Sequence, residues 1–213
     1  MARTHSVLEK IAYLQGRRDE VPNQQLAAEL VEDKNRAGIQ EIVGGLHHED
    51  QHIQADCLKV LYEIAYRDPA LVANYVEDFI GLLSSRNNRL VWGAMIALAT
   101  VAKLKSSVIG THLNEVLSAM KNGSVITKDN GVSVLAAVAT QEPLLKNQIT
   151  GFLIQHLKDC RAKDIPQHAE RMLEAIDSSN GAKFADVLKA RLRELNESQR
   201  KRVQKVIAAA TAA

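Results

Sequence analysis

The densest cluster of chemistry-capable side chains is the segment HHEDQH at 47–52, which brings together His47, His48, Glu49, Asp50 and His52. Imidazole and carboxylate are good ligands for zinc or iron. A His pair at i, i+4 shares one face only on a continuous helix. The segment straddles a turn, so a solvated loop is expected and no metal ligand is assigned. His112 and His156 have no ligand partner nearby in sequence. Cys57 and Cys160 form no CxxC pair and lie far apart, as in a protein of a reducing compartment. The sequence contains no GxxxxGK[ST] loop, GxGxxG or GxSxG, and the HExxH spacing of His48, Glu49 and His52 falls across the expected turn instead of on one continuous helix. No Ser/His/Asp set can be assembled, so no catalytic residue and no cofactor is expected.

The elements that would position any site are read from an internal repeat. Leu61, Leu98 and Leu135 recur at a spacing of 37, and Leu173 follows after one extra residue. Ile64, Val101, Val138 and Ile176 keep step with them, as do Leu58, Met95 and Val132. These positions lie three and four apart and make one stripe on a helix. A second ladder follows in each unit. It runs Ile39, Val76, Leu113, Ile149, Phe184; then Ile42, Phe79, Val116, Phe152, Val187; then Val43, Ile80, Leu117, Leu153, Leu188. Turn signals fall between the ladders at Asp68-Pro69 and Glu142-Pro143, and between units at 84–88, 122–124 and 160–164. The pattern predicts helices over 6–15, 23–33, 35–47, 52–66, 69–84, 88–103, 107–121, 126–140, 143–158, 165–177, 182–195 and 197–209. That gives an all-α array of about five to six helical pairs, read as one domain over 1–213. Irregular units at 1–50 cap one end, regular repeats fill 51–195, and a helix at 196–213 caps the other.

A two-helix unit of this length, over about 23–195, resembles the HEAT repeat family of armadillo-like α-α superhelices. Only Pro166 stands in a first helix and only the first regular unit carries Asp68, so no subfamily is assigned. The resemblance implies that second helices line a concave face. Some iron enzymes with HEAT repeats use several His-Glu pairs, and here only His48-Glu49 is present. The resemblance also extends to HEAT-like DNA glycosylases, in which Trp92 and Asp129 would be cast as the residues around a damaged nucleotide.

On the second helices, one outward position reads Glu41, Asp78, Glu115, Gly151, Asp186, acidic in four of five units. Beside it stand Asn74, with Thr111 and Asn147 in the following units, and Gly44, Gly81 and Ser118. The small residues are expected to let adjacent second helices approach closely. The candidate concave strip is therefore Glu41, Asp78, Glu115, Asp186, Asn74, Gly81 and Ser118. A second candidate is the rim between units, with Arg86, Asn88, Arg89, Trp92, Lys128 and Asp129, since Trp and Arg are enriched among binding hot spots.

Net charge is +2, with aromatics at only 4%. Residues 1–106 carry 12 Lys and Arg against 14 Asp and Glu, and residues 107–213 carry 15 against 11. A strongly basic nucleic-acid binder has a larger and more continuous bias. The last helix places Arg200, Lys201, Arg202 and Lys205 beside Val203, Val206 and Ile207, a basic face on a capping helix. No apolar run suits a signal core or a bilayer span, and a cytoplasmic protein is expected. Taken together the residues argue for a protein-binding scaffold, not an enzyme, with a basic or neutral protein or peptide as partner. The alternative is a HEAT-like DNA glycosylase or other nucleic-acid-binding protein.

Overall fold

The computed structural model describes residues 6–212. Every regular element among them is helical. The chain divides into two compact units, Met1–Asn130 and Gly131–Ala213.

The first unit holds α1 (Val21–Glu32), α2 (Arg36–Gly44), α3 (Gln51–Arg67), α4 (Val76–Gly81), α5 (Asn88–Val101), α6 (Ser106–Thr111) and α7 (Leu113–Asn122). The division falls within α8 (Val125–Gln141). The second unit continues with α9 (Pro143–Asp159), α10 (Ile165–Met172), α11 (Gly181–Arg191) and α12 (Glu197–Ala212). Helix starts follow the capping chemistry of the sequence. Asn35 accepts from the Gly38 amide at 2.9 Å, Asp50 from His52 at 2.8 Å and Asn87 from Arg89 at 2.9 Å. Pro143 and Pro166 stand in first turns, where a missing N–H costs nothing.

The apolar ladders form the core. Leu58, Leu61, Ile64, Met95, Leu98 and Val101 are at most 1% exposed in the first unit. Val132, Leu135, Val138, Ile149, Leu153 and Phe184 are fully buried in the second. Each large side chain so buried contributes about 1.5–3 kcal/mol. Leu117, Phe152 and Leu173 depart from the ladder and are half-buried. α3 packs against both α1 and α5. Close approach to α5 depends on Gly93, where an added Cβ would stand 2.7 Å from Leu58 Cδ2. Two charged side chains of α3, Asp56 and Lys59, are buried here. Lys59 Nζ, 8% exposed, meets Glu20 and Glu63 at 2.9 Å each. Burial opposes its charge, but the hydrogen bonds to both carboxylates outweigh burial and hold its pKa above the usual lysine value.

Three predicted helices differ from the observed ones. Residues 6–15 form only a 3-10 turn, Val7–Lys10, followed by non-helical turns that end at Gly16 with φ +68°. The span 69–84 is four pieces, with 3-10 turns at Pro69–Leu71, Ala73–Tyr75 and Leu82–Ser84 flanking α4. Asp68 caps the first of these by accepting from Ala70 at 3.1 Å, which favours a tight turn over a long helix. The span 107–121 breaks at His112, just after Gly110 and after Thr111, whose hydroxyl bonds the Val108 carbonyl at 2.7 Å. Glycine lowers helix propensity and hydroxyl back-bonding bends a helix.

Candidate binding groove

The first unit holds an open groove of about 910 Å³. Its walls come from α4 and α7, and the turn from Leu82 to the start of α5 closes one side. α4 places Ile80 and Gly81 at the floor because Phe79 and Val76 hold its opposite face in the core. α7 likewise buries Val116 and Met120 and turns Glu115, Ser118 and Ala119 to the groove. Leu83 and Val91 extend the apolar floor, and Asn88, Asn114 and Asn122 supply amides that both donate and accept. Glu77 and Glu115 are the lining carboxylates, and Arg86 also lines the groove. Glu115 lies 3.1 Å from His112 Nδ1, and that hydrogen bond holds its carboxyl below the usual value, so it is ionised at neutral pH. The volume is of the order found for small-molecule and peptide sites, ~300–1,000 Å³.

This groove joins parts of both sequence-derived surfaces. Gly81, Glu115 and Ser118 of the strip line it together with Arg86 and Asn88 of the rim. The remaining candidates lie elsewhere. Glu41 bonds the Ser6 hydroxyl and accepts from the Val7 and Leu8 amides at 3.3 Å, so it serves the N-terminal turn. Asp78 stands 3.0 Å from His47 Nε2. Asn74 accepts from Lys105 Nζ at 2.9 Å. Asp186, in the second unit, pairs with Lys189 at 3.3 Å and lines a depression of about 700 Å³ shared with Lys158, Lys183, Arg191 and Arg193. Arg89 pairs at longer range with Asp56 (3.6 Å) and Glu20 (3.7 Å), beside Tyr13 and His52. Trp92 is half-buried, its ring 6.3 Å from that of Tyr62. Lys128 and Asp129 sit in the first turns of α8 and are not among the lining residues.

Two expectations need correction. Gly44 and Gly81 do not serve close helix approach, since a Cβ at either would meet no atom within 4 Å. Gly81 instead leaves the groove floor open. His156, read from sequence as lacking a ligand partner, has His168 Nδ1 at 3.1 Å from its Nε2, with Cys160 alongside. Neither Glu77 nor His168 stands out in the sequence. Glu77 neighbours the ladder acid Asp78 and was separable from it only by knowing where α4 begins. The HHEDQH segment is put to structural use. Asp50 caps α3, His48 Nδ1 accepts from the Asp50 amide at 2.9 Å, and His52 stacks on Tyr13 at 4.9 Å.

No protein-family model matches the chain. No curated protein matches it. Solved structures match the fold. A computationally designed armadillo repeat protein for modular peptide recognition aligns at TM-score 0.69 and 14% identity, covering 95% of this chain and 98% of its own. A designed armadillo repeat protein in complex with the peptide (KR)4 aligns at TM-score 0.67 and 15% identity, covering 88% and 86%. The archaeal HEAT-like repeats protein from Thermococcus onnurineus NA1 aligns at TM-score 0.54 and 15% identity, covering 92% and 98%. The chain therefore has the HEAT/armadillo-like α-solenoid fold. At these identities the likeness defines the fold and no more.

Proposed function

We propose that the chain is a protein-binding scaffold whose first-unit groove takes an extended segment of a basic or neutral protein. The observation that carries this reading is the groove itself, an open apolar floor at Ile80, Gly81 and Ala119 edged by amides and by the carboxylates of Glu77 and Glu115. An extended peptide offers backbone groups to such amides, apolar stems to such a floor and cationic tips to such acids. The designed relatives in fold support the reading, since one is built for peptide recognition and another holds a (KR)4 peptide. Carboxylates on the walls repel phosphate and the lining includes no Phe, Tyr or Trp, so a nucleic acid is not the proposed occupant. Cys57 and Cys160 are both free thiols, in keeping with a cytoplasmic location. No described helix is long and apolar enough to cross a membrane. Coverage of 95% of the chain by one designed array supports treating 1–213 as one HEAT-like domain.

Fluorescence anisotropy with labelled (KR)4 as probe tests the reading. Wild-type protein is expected to bind it, more tightly at low salt. Glu77→Lys with Glu115→Lys is expected to weaken it about tenfold or more, equivalent to about 1.4 kcal/mol. A wild-type protein that fails to bind at low salt, or a double variant that binds as well as wild type, overturns the proposal.

A further inference from the structure

A second constellation lies in the other unit. α9 runs to Asp159, and Cys160 follows as its C-cap with its amide donating to the His156 carbonyl at 2.8 Å. That bond is the last turn of the helix, so His156 and Cys160, four apart, share one face. The 3-10 turn Ala162–Asp164 leads directly into α10, and His168 sits one turn inside it. His168 is 1% exposed, while His156 and Cys160 are half-buried. The result is convergence from two helices. His156 Nε2 stands 3.1 Å from His168 Nδ1, with ring centroids 5.0 Å apart. Cys160 Sγ completes a triangle whose three ligand atoms all lie within 4.8 Å of one another.

We propose that His156, Cys160 and His168 bind one zinc ion through Nε2, Sγ and Nδ1, leaving a fourth position for water or an incoming ligand. The donor set selects the metal. A thiolate with two imidazoles suits zinc and excludes calcium and magnesium, which take oxygen ligands. The geometry suits it too. Two nitrogens each ~2.0–2.1 Å from a tetrahedral ion stand ~3.3 Å apart, and a sulfur at ~2.3 Å stands ~3.6 Å from either. The observed nitrogen pair, 3.1 Å apart, is near that separation, and the sulfur, within 4.8 Å of both nitrogens, would move in by up to about 1.2 Å on loading.

The surroundings hold the ligands in place. Arg191, from α11, donates through Nη1 to the Leu157 carbonyl at 2.8 Å and the Cys160 carbonyl at 2.7 Å, which pins the turn that carries two of the three ligands. The same nitrogen lies 3.9 Å from Cys160 Sγ. Its positive charge favours the thiolate that a metal needs, and its pairing with Glu194 offsets repulsion of the cation. Burial pushes the Cys160 thiol up to about 11, so it is protonated in metal-free protein and loading releases that proton to solvent. The ion would tie the end of α9 to α10.

The test uses full-length, metal-free protein titrated with cobalt(II) alone and then with zinc(II) alone. One cobalt per chain is expected, with a thiolate-to-cobalt charge-transfer band and the intense visible bands of tetrahedral cobalt, both abolished by one equivalent of zinc. Zinc should also raise the thermal midpoint. Cys160→Ser, at a part-exposed helix end, should fold normally, lose the charge-transfer band and weaken zinc by more than the ~10–100-fold that loss of an outer-shell partner costs. His156→Gln should weaken zinc similarly. Cys57→Ala should keep the band. Folded wild-type protein that shows no charge-transfer band, or zinc binding unchanged in Cys160→Ser, overturns the proposal. Preference for copper(I) with no zinc binding overturns the assignment of the ion.

Discussion

At the scale of single residues, the groove rests on Gly81 more than on any charged group. Its backbone is helical at φ −56°, ψ −33°, and space for a side chain is open. Gly81→Ala is therefore expected to stabilise the protein by about 0.4–1 kcal/mol, because alanine restricts the unfolded chain and meets no clash. Urea unfolding measures it, and a loss of stability would show that the position is packed. Gly81→Trp should leave unfolding nearly unchanged yet block (KR)4 binding, because the indole would occupy the floor. The sequence marks Gly81, Ser118 and Glu115 by their places in the repeat. It does not distinguish an acid that faces a groove from one that ties down a turn. Glu41 and Glu115 hold the same repeat position, yet Glu41 accepts from Val7 and Leu8 and Glu115 faces the groove. That difference depends on residues 34 positions away in one case and on a local His112 contact in the other.

At the scale of elements, the period-37 ladder reads the core well because burial of one helical stripe is what the repeat exists to achieve. Long helices with strong ladders, α3, α5, α8 and α9, sit where the pattern puts them. The short second helices do not, because capping by Asp68 and back-bonding by Thr111 are local competitions that an apolar stripe does not report. The spacing of α3 and α5 is set by Gly93, and Gly93→Ala should cost about 1–3 kcal/mol by forcing Leu58 off its rotamer. Thermal unfolding that shows no loss would mean the two helices can part freely. In the second unit Lys146 of α9 pairs with Asp177, which also accepts from the Ser179 amide at 2.9 Å. These contacts, the lysine first, lower the Asp177 carboxyl from 3.8 to about 2. A depressed folded-state pKa contributes stability above the unfolded value that is lost as pH falls through the folded one. Wild-type stability should thus drop between about pH 4 and pH 2, and Asp177→Asn should flatten that limb while lowering stability at neutral pH. An unchanged acid limb in the variant would remove Asp177 from the account.

At the scale of the whole molecule, charge follows the two units. The first-unit groove is lined by Glu77 and Glu115 with one arginine, Arg86, and the second-unit depression by Lys158, Lys183, Arg191 and Arg193 with Asp186 and Glu194. Of the ladder acids Glu41, Asp78, Glu115 and Asp186, Glu115 lines the first-unit groove and Asp186 the second-unit depression. A basic ligand has a reason to choose the first unit. Backbone amide chemical shifts during titration with (KR)4 test that choice most directly. The largest changes are predicted at Gly81, Ser84, Ser118 and Gly123, with little movement around Asp186 and Arg193. Changes concentrated in the second unit, or spread evenly over both, would contradict a binding groove between α4 and α7.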